Sequence, residues 1–224
     1  RRQCAQVDAL IAPSAPMHEM LVSIGVRNPV TVIPTGLPAE RFARGDGARF
    51  RSKYAIPAGR PIVLYVGRVA HEKNIEFLID CFAEVRRTRP EALLLIAGEG
   101  PARAALLARA ERLGLARDVL FVGYLDRERS LADCYAAGDV FVFASRTETQ
   151  GLVLLEAMAQ GRPVVSTAHL GTTSILQNGC GARVVPEERS AFARAVDLLS
   201  LSPRTPASRL LPFLPPEERR DVKG

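Results

Sequence analysis

Short apolar runs recur at regular intervals along most of the chain, at 62–66, 92–97, 119–122, 140–144, 163–166 and 182–185. Apart from Ser166 and Arg183 they are apolar and do not alternate, the pattern of strands covered on both faces, as in a parallel sheet. Between these runs the period changes. Ile75, Leu78, Ile79, Phe82 and Val85 fall at i, i+3, i+4 and i+7 spacing, and Leu131, Cys134 and Tyr135 repeat it in a shorter segment, so both read as helices with one buried stripe. The punctuation agrees: Pro101 stands at a helix start, Asp126 at an N-cap, and Gly114 and Gly138 where helices should stop. Alternating strands and helices predict an α/β fold, a doubly wound parallel sheet of Rossmann-like type with right-handed crossovers. In such a sheet the ligand-binding loops follow the carboxyl ends of the strands, here after Val66, Ala97, Val122, Ala144 and Ser166.

The first part of the chain reads differently. Residues 1–44 hold a strand at 9–12, a helix at 17–24, a strand at 30–33 and the turn Pro34-Thr35-Gly36, which is less than a domain. The stretch 43–60, rich in Gly, Arg and Ala, reads as a linker with one short helix. Pro203, Pro206, Pro212, Pro215 and Pro216 break any long helix after residue 200. The expected organisation is therefore a remnant of a preceding domain at 1–44, one complete domain at 45–200, and an irregular tail at 201–224.

Composition narrows the function classes. The chain has 224 residues, 47% hydrophobic and 24% charged, which excludes disorder throughout. The net charge of +6 is spread out, and aromatics are 6% with no Trp, so little is available for a surface that stacks bases. No nucleic-acid partner is expected. Cys4, Cys81, Cys134 and Cys180 show no C-x-x-C spacing and read as free thiols of a reducing compartment. His18, His71 and His169 make no H-E-x-x-H pattern and no D-x-D is present, so no built-in metal site and no cofactor are expected. No apolar run is long enough to span a membrane and no signal-like segment opens the sequence, so the expected address is the cytoplasm.

The richest segment follows the run 140–144: Ser145-Arg146-Thr147-Glu148-Thr149-Gln150-Gly151-Leu152-Val153-Leu154-Leu155-Glu156-Ala157. Two carboxylates bracket a glycine at a strand-to-helix junction. Gly151 admits a ligand to the backbone, and the free N–H groups and positive dipole end of a helix start favour a phosphate. Were all the intervening residues helical, Glu148 and Glu156 would stand about 12 Å apart, enough to grip both ends of a nucleotide-sugar. One could accept from sugar hydroxyls and the other from ribose hydroxyls. A glycosidase acid and nucleophile pair fits poorly, since such carboxylates flank a single bond.

A second constellation follows the run 62–66: Gly67-Arg68-Val69-Ala70-His71-Glu72-Lys73-Asn74. Arg68 and Lys73 there could neutralise a diphosphate without a metal. His71 reads as a surface residue at a helix entry. Gly98-Glu99-Gly100-Pro101 is an incomplete G-x-G-x-x-G and is better read as a tight turn with proline at the helix start. Gly123-Tyr124 could offer backbone groups to a base.

Taken in order, Gly67-Arg68, Lys73-Asn74, Gly98-Glu99-Gly100-Pro101, Val122-Gly123-Tyr124, the Glu148 to Glu156 motif and Gly161-Arg162-Pro163-Val164-Val165 resemble the donor-binding half of the retaining group 1 glycosyltransferases, family 4-like, of two-domain B-type fold. The resemblance covers about residues 5 to 200. It implies Arg68 and Lys73 on the donor diphosphate, Glu148 on the sugar hydroxyls, the Gly151, Leu152 and Val153 amides near phosphate and sugar, and Glu156 on the ribose. Arg68, Lys73 and Glu148 would be the catalytic residues. Gly67, Gly123, Tyr124, Thr149 and Gln150 would complete the donor-binding set.

The resemblance also implies transfer of a hexose from a nucleotide diphosphate sugar, UDP-glucose by expectation, to a hydroxyl acceptor. Family members with Thr-Glu-Thr-Gln-Gly at this place include glucosyltransferases acting on diacylglycerol, which hints at a lipid acceptor and at peripheral attachment to the cytoplasmic membrane face. The reaction would retain anomeric configuration by front-face displacement. The family needs an amino-terminal acceptor domain, of which only the last strip is expected here, so the chain is expected to bind donor and hardly turn it over. Two alternatives are a non-catalytic module that binds sugar nucleotides and a sugar-nucleotide epimerase of similar architecture.

Overall fold

The computed structural model describes residues 3–37, 44–127, 129–176, 178 and 181–200, without the side chains of Ala5 and Ser200. The expected tail, Cys180 and Ala43 lie outside the described residues. The chain begins with a small parallel pair, β1 (Leu10–Ala12) and β2 (Val30–Val32), joined through α1 (Ala15–Ser23). Helix α2 (Gly47–Lys53) follows. Then come β3 (Ile62–Val66), α3 (Ile75–Thr88), β4 (Leu93–Ala97), α4 (Arg103–Arg112), β5 (Val119–Gly123), α5 (Ser130–Ala137), β6 (Val140–Phe143), α6 (Leu152–Ala159), β7 (Val164–Ser166), β8 (Ala182–Val184) and α7 (Arg189–Ser200).

The last six strands form one parallel sheet in the order β5-β4-β3-β6-β7-β8. Every residue of β3, β4, β6 and β7 is buried, whereas β5 and β8 at the edges are half exposed. This is the outcome the continuous apolar runs predict, because helices cover both faces of the central strands. The middle of the core is aromatic, with Tyr65 and Phe143 stacked 6.2 Å apart and Phe141 at 6.3 Å from Phe143.

The order matters for function. From β3 the chain winds outward through β4 to β5, then returns to place β6 on the other side of β3. The loops after β3 and β6 therefore leave the sheet in opposite senses and open a crevice between them, the place where doubly wound sheets bind ligands.

Several expectations are refined. The stretch read as a linker is docked: Phe50 of α2 is buried, and Arg49 donates to the buried Asp133 of α5 at 2.7 and 2.6 Å. Asp133 also accepts from the Asp46 N–H at 2.7 Å. Helix α4 begins two residues after Pro101, which stands in the preceding turn. Asp126 stands three residues before the N-cap position of α5, Arg129, rather than at it, and its carboxylate accepts from the Arg129 and Ser130 N–H groups at 2.9 and 3.3 Å. Gly114, with φ 72°, ends α4. Cys81 and Cys134 are buried free thiols and Cys4 is half-buried; burial pushes the two buried thiols up.

Gly98-Glu99-Gly100-Pro101 is the tight turn, not a dinucleotide fingerprint. At Gly98, with φ 133°, a Cβ would stand 1.9 Å from the Gly67 carbonyl oxygen. The loops after β3 and β4 thus cross in direct backbone contact. The Gly98 N–H bonds the Gly123 carbonyl at 2.8 Å, extending the contact to the end of β5.

Gly98→Ala should therefore cost more than about 2 kcal/mol, since the strained backbone and the clash have no flexible side chain to absorb them; urea unfolding measures it. The Asp126 carboxylate gives a pH signature. Hydrogen bonds from the Ser130 side chain and from backbone N–H groups lower its pKa from 3.8 to about 2. Its contribution is therefore complete above the unfolded value and is lost as pH falls through the folded one. The difference in unfolding midpoint between wild type and Asp126→Ala should be constant above about pH 4 and shrink toward pH 2.

Candidate functional site

The crevice is lined by the loops that follow β3 and β6. After β3, Gly67 leads into Arg68, whose carbonyl accepts from the buried Tyr65 hydroxyl at 3.1 Å. A 3₁₀ turn over His71–Lys73 delivers Lys73, and Asn74 in left-handed conformation (φ 55°) starts α3. After β6, residues 145–150 run as an irregular loop into Gly151, at φ 92°, which opens α6. Because Gly151 is left-handed and α6 begins at Leu152, the all-helical spacing assumed between Glu148 and Glu156 does not hold. The N–H groups of Leu152 and Val153 belong to the first turn, which has no intrahelical acceptor.

The structure joins the two constellations. Lys73 Nζ donates to Glu148 Oε2 at 2.9 Å, both side chains mostly shielded. This ion pair spans the switch between β3 and β6 and brings a cation to within three residues of the α6 N-terminus. Arg68 is different: its side chain is 66% exposed and stands 3.7 Å from Glu72. It sits on the rim, on the loop that also carries Lys73, with its guanidinium free to reorient.

Glu156 points into the interior. It is buried, and its Oε2 accepts from the Tyr135 hydroxyl at 2.8 Å. Burial, with Glu156 beside it, holds the Tyr135 phenol well above its ordinary pKa, so it stays a donor. Sequence reading took Tyr135 as a core position of α5, which it is; the extra signal was its hydroxyl, since a buried tyrosine requires a partner.

The loop 148–151 is fixed from behind. The Glu148 carbonyl accepts from the Gly171 N–H at 2.9 Å, and a Cβ on Gly171 would stand 1.9 Å from the Thr149 carbonyl oxygen. Ser14 Oγ donates to that Thr149 carbonyl at 2.7 Å. Gln150 is buried, its Oε1 accepting from Thr35 N–H at 3.0 Å and its Nε2 donating to Thr35 O at 2.8 Å. Thr149 and Gln150 thus link the loop to the amino-terminal segment, a role the sequence did not disclose. Gly123 ends β5 at φ 73°, and Tyr124 beyond it is 68% exposed on the same carboxyl edge.

Chemically, this edge offers an ammonium, an exposed guanidinium and helix-start amides for an anion, with the Glu148 carboxylate beside them, while Glu156 lies buried behind against Tyr135. Among the described residues, no group of three His, Cys, Asp or Glu side chains stands close enough to hold a metal ion. Likewise, no helix among them is long and apolar enough to cross a membrane.

Comparison with known proteins agrees with this architecture. Residues 46–209 match the family described as Glycosyl transferases group 1. The chain is 34% identical over 165 residues to the alpha-monoglucosyldiacylglycerol synthase of Streptococcus pneumoniae, covering 71% of this chain and 37% of that protein. It is 31% identical over 205 residues to the D-inositol 3-phosphate glycosyltransferase of Nocardia farcinica, covering 87% and 45%. The chain thus spans less than half the length of these two relatives. Among solved structures, sucrose-phosphate synthase from Thermosynechococcus elongatus superposes with a TM-score of 0.79 at 29% identity, over 99% of this chain and 55% of that one. The family match over residues 46–209, most of the chain, on a doubly wound parallel sheet, shows that the chain belongs to the group 1 glycosyl transferases.

Proposed function

We propose that this chain supplies the nucleotide-sugar half of a retaining hexosyltransferase that moves glucose from UDP-glucose to a hydroxyl of a lipid acceptor. The observation that carries the reading is the Lys73–Glu148 pair at the mouth of α6, which sets a diphosphate-binding cation and a hydroxyl-binding carboxylate side by side. The likeness to a monoglucosyldiacylglycerol synthase supports the sugar and the lipid acceptor. A fold neighbour, HepE of Anabaena, was solved with UDP-glucose. The acceptor side would come from a further domain, and the work would be done in the cytoplasm with peripheral contact at the membrane face.

In this reading the donor diphosphate lies over the α6 N-terminus between Lys73 and Arg68. The sugar sits against Glu148 and the amides of residues 151–153. Glu156, held by Tyr135, accepts from the ribose hydroxyls. Gly67, Gly123 and Tyr124 flank the nucleoside. The bond from the anomeric carbon to the diphosphate oxygen breaks, and its electron pair leaves with the nucleotide. The acceptor oxygen bonds the same carbon from the same face and yields its proton to a donor phosphate oxygen. Lys73, Arg68 and the helix start stabilise the negative charge growing on the leaving diphosphate, without a metal or cofactor.

Calorimetric titration with UDP-glucose, GDP-mannose and ADP-glucose tests the assignment. UDP-glucose should bind best. Lys73→Ala, Arg68→Ala and Glu156→Gln should each weaken it about 10- to 100-fold, the range for a lost hydrogen bond to a charged group. Unchanged affinity in all three would remove the site. Tyr135→Phe should also weaken binding, by a smaller factor, because Glu156 loses the hydroxyl that orients it.

A further inference from the structure

A second ionic cluster lies directly behind the Lys73–Glu148 pair and belongs to no motif. Its centre is Glu187, in the loop between β8 and α7, with a side chain 21% exposed. The Glu187 carboxylate accepts from Arg146 Nε at 2.9 Å and from Arg146 Nη2. It accepts from Asn74 Nδ2 at 3.1 Å, and His169 Nε2 stands 3.4 Å away. The hydrogen-bonding partners come from the loops after β3 and β6, so one carboxylate ties three carboxyl-edge loops together, with His169 of the loop after β7 standing beside it without a hydrogen bond.

Their positions in sequence are what make the cluster informative. Asn74 adjoins Lys73; Arg146 is two residues before Glu148; His169 is two residues before Gly171, whose N–H holds the Glu148 carbonyl. Every arm of Glu187 therefore ends within two residues of a group that fixes the Lys73–Glu148 pair. Three of the neighbouring conformations also need restraint. Asn74 is left-handed, and Ala168 and Leu170, on either side of His169, have φ of 47° and 51°; such backbone persists only where the surroundings hold it. Arg146 is exposed, so its ion pair alone would be worth little, but a multiply bonded carboxylate shared by three loops is a network.

We propose that Glu187 is a positioning residue for the donor site: it holds the loops that carry Lys73 and Glu148 at the separation a diphosphate-sugar requires. The inference rests on the donor reading above. Glu187 does not itself touch donor; it acts through Lys73 and Glu148, and a loosened pair loses affinity because placement has to be re-established on binding.

A double-mutant cycle read by UDP-glucose calorimetry tests it. Glu187→Gln should weaken UDP-glucose by about 10-fold, with an unfolding temperature close to wild type, and should add nothing in a Lys73→Ala background. Asn74→Gly keeps the left-handed backbone and removes one arm; it should give a smaller loss that also vanishes with Lys73→Ala, and it serves if the first variant fails to fold. Losses that multiply fully in the Lys73→Ala background, or none in Glu187→Gln while Lys73→Ala binds weakly, would overturn the positioning role and leave the donor reading standing. Failure of the wild-type chain to bind UDP-glucose would overturn both.

Discussion

The reversal of strand order between β3 and β6 is the constraint on which the site depends. Right-handed crossovers whose helices stay on one face extend a parallel sheet in one direction; this chain reverses direction after β5 and places β6 on the other side of β3, so the loops after β3 and β6 part over the middle of the sheet. Lys73 and Glu148 are 75 residues apart in sequence and hydrogen-bonded in space for this reason alone. The fully buried strands β3, β4, β6 and β7 make that edge rigid, because neither strand can shift without exposing apolar surface or leaving polar backbone unpaired. The chemistry rests on a platform whose stability comes from residues that never meet a ligand.

The two carboxylates of the motif are held in different ways. Glu148 is partly shielded and paired with Lys73. Under the donor reading proposed above, a diphosphate would compete with Glu148 for the Lys73 ammonium, leaving Glu148 to accept from a sugar hydroxyl. Glu156 is buried beside a tyrosine that burial keeps protonated and whose hydroxyl donates to the carboxylate. A buried carboxylate oriented by a fixed donor is pre-organised for a partner that brings its own O–H groups, as a ribose does. The spacing of the motif thus sorts one acid to a mouth that exchanges partners and the other to a fixed seat.

What was legible in the sequence followed from periodicity and local chemistry. The continuous apolar runs located the sheet, the i, i+3, i+4 stripe located α3, and Asp126 and Gly114 marked helix ends, because each signal is carried by residues close together in the chain. The cationic loop and the two-acid motif were legible as residue types, and the fold supplied their meeting. The illegible part is the support. Gln150 bonds Thr35 across 115 residues and Ser14 reaches Thr149 across 135, and neither contact leaves a periodic trace. Glu187 belongs to no sequence motif, and its partners Asn74 and Arg146 lie 113 and 41 residues away. Phe50 sat in a segment whose Gly and Arg content reads as linker, yet glycines there permit the close approach that buries it on α5.

The contacts of Ser14 and Thr35 have a further consequence. They tie the loop that carries Glu148 to the amino-terminal segment, whose α1 packs on the 3₁₀ turn Leu170–Ser174, the turn that in turn holds the Glu148 carbonyl through Gly171. The motif loop is therefore clasped from two sides, by Glu187 through the loops of the large sheet and by Gln150 through the small β1–β2 unit. A displacement of that unit cannot leave the motif loop untouched, since both ends of the Gln150 amide are engaged by one residue of it. The position of that unit and the placement of Glu148 are therefore coupled through hydrogen bonds already in place.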